Sequence, residues 1–194
     1  MKKENTTKYA VLGVLSIMPC SGYDIKKISD MSISHFWSEN YGHIYPVLKM
    51  LEADGMVTSE PQQAKGRPPK SIFRITEKGS RALNEWLLKP VEYHPYRNEL
   101  LLKIFLARDV PPENVKEKLL RDREGNEKKL ATLQGIEEML KGSEPYRSQK
   151  SLPLWLMTID LGKRISLAQI EWCDHSLRAL DALPGATGIT ERSL

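Results

Sequence analysis

Between Tyr41 and Arg74 the chain reads YGHIYPVLKMLEADGMV and then TSEPQQAKGRPPKSIFR, a succession that few folds can accept. Ile44, Val47, Leu48 and Leu51 recur at helical spacing, and Gly55 stands where a helix can end in the left-handed region. Pro46 must then fall near the first turn, because deeper placement removes a ladder hydrogen bond; Ser38 or Asn40 is the expected cap. Two short strands follow, Met56–Ser59 and Ser71–Ile75, the second carrying Ile72, Phe73 and Ile75. The segment EPQQAKGRPPK between them is too long for a tight hairpin and almost without apolar residues. A helix, a strand, a basic loop and a returning strand can lay a helix and a loop on a polyanion together.

The flanking residues supply a support for this unit. Thr6 or Thr7 caps a first helix to about Met18, apolar over most of its circumference and therefore packed on several sides. Pro19 ends it. Ser21 and Asp24 have the spacing of a capping box, which predicts a second helix from Gly22 to about Ile33 with Tyr23, Ile25, Ile28 and Met31 on its buried side. After the second strand, Thr76 caps a fourth helix over Glu77–Leu88, closed by Pro90, whose Leu83, Trp86 and Leu87 face the other elements.

Charge is distributed unevenly along the chain. Residues 1–90 hold 13 Lys/Arg against 9 Asp/Glu, whereas residues 91–194 hold 16 of each, so the net +4 belongs to the first part. Within 65–81, Lys65, Arg67, Lys70, Arg74, Lys78 and Arg81 face only Glu77. A local positive field of this kind suggests an anionic partner, with nucleic acid the leading candidate.

Three helices, two strands and a helix in about 85 residues is the order of a winged helix-turn-helix. Lys65, Arg67 and Lys70 are suited to neutralising phosphates, Gly66 lets the backbone approach closely, and Pro68-Pro69 stiffens the loop tip. The segments YAVLGVLSIMPCSGYDIKK, HIYPVLKMLEADGMV and GRPPKSIFRITEKGSRAL, covering about residues 9–88, resemble the PadR family of bacterial transcriptional regulators. The resemblance implies that the third helix reads double-stranded DNA, that the wing contacts it, and that the protein is a dimeric repressor. By position, His43, Tyr45, Pro46 and Lys49 fall on the DNA-facing start of that helix, and Lys65, Arg67 and Lys70 on the wing. Plainer roles stand beside these: a core tyrosine for Tyr45, a solvated charge for Lys49, an inconsequential surface histidine for His43.

From Val91 the pattern changes to helices alone. Arg97–Arg108 carries Leu100, Leu101, Ile104 and Phe105 as an apolar face, and Pro112 or Glu113 opens a long helix to about Leu140. Its middle, RDREGNEKK, is polar enough that the helix must be exposed there or kinked at Gly125. After a loop over GSEPYRSQKS, a last helix is expected from Pro153 to Leu183. Leu154, Leu161, Ile165, Ala168 and Trp172 recur along it at spacings of 7, 4, 3 and 4, a seam of the coiled-coil kind. A further apolar side off that seam makes a homodimer the economical solution, and a two-fold protein matches a palindromic operator; the plainer alternative closes all this surface inside one subunit. The resemblance supports the dimer, since PadR proteins with a C-terminal part this long pair through such a domain. It also implies that a small aromatic effector releases DNA in some members. Tyr93, Tyr96, Trp155, Met157 and Trp172 are the residues suited to lining an effector pocket, although such side chains are more often core.

Catalytic signatures are missing: there is no P-loop, no dinucleotide fingerprint, no Gly-x-Ser-x-Gly and no His-Glu-x-x-His. The four histidines are scattered, the two cysteines are distant in sequence, and neither a metal site nor a disulfide is expected. No apolar run approaches the ~20 residues of a membrane span, and a signal peptide is not apparent, so a cytoplasmic protein is expected. The expected architecture is mainly α with a small two-stranded β-wing. Residues 1–90 form the winged helix-turn-helix DNA-binding domain, 91–183 the helical dimerisation domain, and 184–194 a disordered tail. The expected function is transcriptional regulation without enzymatic activity or cofactor. The competing reading is a protein–protein adaptor that has kept the winged-helix scaffold and lost DNA binding.

Overall fold

The computed structural model describes residues 5–37, 41–63, 70–91, 97–144 and 146–182. The chain divides into two compact units, Met1–Tyr93 and His94–Leu194. Lys65, Gly66, Arg67, Tyr93, Tyr96, the caps Ser38 and Asn40, the Pro68-Pro69 tip and the tail from 184 lie outside the described residues.

In the first unit α1 spans Thr7–Ile17 and buries Tyr9, Val11, Leu12, Val14 and Leu15. Thr6 makes no side-chain cap; the Thr7 N–H instead donates to Asn5 Oδ1 at 3.1 Å. Residues Cys20–Ser21 form a short strand, β1, and Ser21 then closes the expected capping box with Asp24 at the start of α2, Gly22–Ser32. Ile25 is buried and Ile28 packs on the core, but Tyr23 is 61% exposed. Its expected burial is corrected by helical geometry, since position 23 lies about 200° around the helix from Ile25.

The third helix, α3, runs over Tyr41–Ala53 and buries Ile44, Val47, Leu48 and Leu51. Pro46 is its sixth residue, one turn deeper than expected, and the helix continues through it. At that depth proline deletes a single rung, the bond its N–H would have given to the carbonyl four residues earlier. The exit is a Schellman turn: Gly55 has φ 67°, its N–H donates to the Glu52 carbonyl at 2.9 Å, and the Met56 N–H to the Leu51 carbonyl at 2.8 Å. β2, Val57–Gln62, and β3, Lys70–Ile75, then pair antiparallel with Val57 opposite Ile75. β1 adds a third strand that was not expected, with Cys20 opposite Phe73, in the order β1-β3-β2. Because β2 is an edge strand, it tolerates Pro61 and extends beyond the expected Ser59.

Helix α4, Glu77–Leu87, is capped as expected by Thr76, whose Oγ1 accepts from the Gly79 N–H at 3.1 Å and donates to the Gly55 carbonyl at 2.8 Å. Leu83 is buried, and Trp86 stacks on Tyr9 with ring centroids 4.5 Å apart. Leu87 is exposed, unlike its expected packing. One core thus fixes α1, α3, the sheet and α4 together, and leaves the outer arc of α3 bare.

The second unit is helical. Asn98 caps α5, Glu99–Phe105, through the Leu101 N–H; the helix is shorter than the expected Arg97–Arg108. Of its expected apolar face only Ile104 joins a core, while Phe105 is 85% exposed. α6 is one continuous helix from Pro112 to Gly142, and α7 spans Leu152–Asp181. The pairs Lys116–Asp181 at 3.1 Å, Arg123–Asp174 at 2.6 Å and Glu137–Lys163 show that α6 and α7 pack antiparallel. Val115, Leu119 and Cys173 form one buried cluster, and Leu133, Leu140 and Ile159 another. Between these, Asp122 accepts from Gln169 at 3.2 Å and from the Cys173 thiol at 3.6 Å. Burial and then the nearby Asp122 carboxylate push that thiol up to about 11, so it stays protonated at neutral pH. No described helix is long and apolar enough to cross a membrane.

Candidate nucleic-acid interface

The bare arc of α3 follows from its pattern. With Ile44, Val47, Leu48 and Leu51 turned inward, His43, Tyr45, Pro46 and Lys49 are left exposed, all four on one helix as the sequence predicts. Tyr45 is 48% exposed, which removes its reading as a core tyrosine. Tyr45 and Lys49, at i and i+4, line a hollow of about 780 Å³ between α3, the start of α2 and the sheet. Lys70, the first residue of β3, lines it as well. The fold therefore brings together three predicted residues from two segments, α3 and the start of β3, while His43 and Pro46 stand outside the lining.

Other lining residues escaped the sequence reading. Tyr23 projects from the second position of α2, and Asp24 comes from the next. Tyr45 lies close over the same helix start, for a Cβ added at Gly22 would come 2.9 Å from its ring. Glu52 accepts a hydrogen bond from the Ser59 hydroxyl, which ties the end of α3 to β2. Lys70 Nζ lies 3.6 Å from Asp24 Oδ2. The bonds from Ser21, helped by Lys70, hold the Asp24 carboxyl below the usual carboxylate range. The capping-box spacing was legible as a helix start, but it carried no signal that the box borders a functional surface. The described floor of the hollow thus carries two cations and two anions, Lys49 and Lys70 with Asp24 and Glu52.

In the second unit, Leu154, Met157, Leu161, Ile165 and Ala168 lie exposed along α7. Trp172, the last residue of the expected seam, packs instead against the Val115–Leu119–Cys173 cluster of its own chain, and Trp155 against the other cluster. Of the residues proposed for an effector pocket, Trp155 and Trp172 therefore belong to separate cores and Met157 faces outward. Among the described residues there is no group of three His, Cys, Asp or Glu that could hold a metal ion.

Comparison with known proteins matches both units. Residues 11–85 match the transcriptional regulator PadR-like family, and residues 96–181 the family described as virulence activator alpha C-term. The negative transcriptional regulator PadR of Bacillus subtilis (strain 168) is 28% identical over 141 residues, covering 71% of this chain and 77% of that protein. Crystal structures of B. subtilis PadR, each 24% identical, share the fold: the complex with operator DNA has a TM-score of 0.78 and that with p-coumaric acid 0.71. These cover 91% of this chain and 100% and 99% of theirs. The Vibrio cholerae virulence activator AphA is 28% identical with a TM-score of 0.69, over 91% of this chain and 99% of its own.

Proposed function

Because this chain belongs to the PadR-like family of transcriptional regulators, we propose that it is a homodimeric repressor that binds a palindromic operator. Residues 1–90 form the DNA-binding domain and 91–183 the dimerisation domain. The observation that carries this reading is the convergence of Tyr45, Lys49 and Lys70 on one hollow beside the exposed face of α3, in the part of the chain that holds all the net positive charge. Helix α3 enters the major groove with His43, Tyr45, Pro46 and Lys49 foremost. Lys65, Gly66, Arg67 and Lys70 follow the phosphates, which fix register without reading sequence.

The exposed stripe of Leu154, Leu161, Ile165 and Ala168 on α7 supports pairing of two chains, because an apolar stripe of that length is costly to leave in water. Trp172, the fifth residue of the seam, packs instead on the Val115–Leu119–Cys173 cluster of its own chain. An aromatic acid is the class of effector we propose, on the strength of the p-coumaric acid complex of B. subtilis PadR. Repression is favoured by the naming of that relative as a negative regulator; activation is the second reading, favoured by the similarity to AphA.

Footprinting on the region upstream of the protein's own gene tests this function. Two protected half-sites about 34 Å apart, with a reporter that rises when the protein is deleted, are expected. A footprint with no dyad contradicts the operator, and a reporter that falls on deletion contradicts repression.

A further inference from the structure

We propose that Asp24 acts as a brake on DNA binding, by holding Lys70 in an ion pair that an incoming phosphate has to break. The inference rests on the DNA-binding reading of the same hollow. The two side chains are 36% and 53% exposed, so the pair sits at the surface that would meet the phosphates. Its place there is fixed by the fold. The Asp24 carboxylate accepts from the Ser21 hydroxyl at 2.6 Å and from the Ser21 N–H at 3.2 Å. Ser21 pairs in turn with Ile72, on the same strand that begins with Lys70. The sheet therefore holds Lys70 directly and Asp24 through Ser21, and the carboxylate cannot swing away without giving up its half of the capping box.

The other charges of the hollow sharpen the contrast. Glu52 is engaged by Ser59, and Lys49 has no ion-pair partner among the described residues. A lysine without a partner releases condensed counterions when it meets phosphate. One that is already neutralised releases less, and it leaves a carboxylate facing a like charge. An exposed pair is weak enough for phosphate to displace, so the contact lowers affinity without abolishing it. Because phosphates carry no sequence, the brake acts alike on operator and other DNA.

The full-length chain is titrated against a random-sequence duplex and a duplex of its own upstream region, across a salt series, by fluorescence anisotropy. Asp24→Asn removes the charge and keeps an acceptor for the Ser21 N–H. We expect tighter binding of both duplexes by severalfold at low salt, and a salt slope steeper by about one. Lys70→Ala should cost more in the Asp24→Asn background than in the unaltered chain. Unchanged or weakened binding by Asp24→Asn, or an equal cost of Lys70→Ala in both backgrounds, overturns the brake. A comparison that leaves the cap intact guards against misfolding: Lys49→Ala should lose severalfold more affinity than Lys70→Ala, and equal losses also overturn it. If the unaltered chain binds neither duplex, the DNA-binding reading fails and the brake with it; if it binds and the variants disobey, only the brake fails.

Discussion

Individual residues in the first unit are constrained by what lies beside them in space. A Cβ at Gly79 would stand 2.2 Å from the Met56 carbonyl oxygen, a backbone atom held at the start of the sheet. Gly79→Ala should therefore destabilise the unit by about 1–3 kcal/mol, the usual range for overpacking, measured by urea denaturation. Gly79 lies in the segment that carries the family resemblance, but no local pattern gives its steric role, because the close approach joins segments more than twenty residues apart. Asp24 gives a prediction in pH. Its carboxyl is lowered in the folded state by Ser21 and Lys70, so its contribution to stability is complete above the ordinary carboxylate value and is lost as pH falls through the folded one. The stability gap between the unaltered chain and Asp24→Asn should be present at pH 7 and close as the solution is acidified below about pH 4. A gap that persists at pH 2 would show that the carboxylate's charge is not its source.

At the scale of elements, local signals proved legible and distant pairings did not. Gly55, Thr76 and the Ser21–Asp24 box are read from a few neighbouring residues, and each ends or begins its helix as the sequence predicts. β1 was missed because two residues carry no alternation, and its partners Ile72 and Phe73 lie some fifty positions away. Pro46 falls in the second turn of α3 and not the first, because a helix that starts at Tyr41 has completed a turn before it reaches the proline. The α3 exit supplies a measurable consequence: Gly55→Ala should cost about 1–2 kcal/mol by forcing an alanine into the left-handed region, read from the thermal unfolding midpoint. α7 is a mixed case. Its period was legible, but which apolar side meets its own chain depends on α6, so Trp172 packs inward while Leu161 stays 60% exposed.

For the whole molecule, the division of charge was the most informative property of the sequence, since it separated a basic part from a neutral one before any geometry was known. It did not reveal that the described lining of the hollow beside α3 holds as many anions as cations, because Asp24 reaches that site only through the fold. Pairing through α7 predicts a sedimentation mass of twice the 22.2 kDa chain at micromolar concentration. Leu161→Glu/Ile165→Glu, which alters two exposed positions, should reduce it to one chain with helix content retained; an unchanged mass would place the interface elsewhere. The proposed function requires the first unit to bind DNA through α3 and the basic loop before β3. The most direct measurement of it is affinity for the upstream duplex as salt is raised, with and without Lys65→Ala/Arg67→Ala. A steep fall of log K with log[salt], shallower by about two in the double variant, is the predicted result. Affinity indifferent to salt and to both substitutions would contradict the claim and favour an adaptor that kept the scaffold without the DNA.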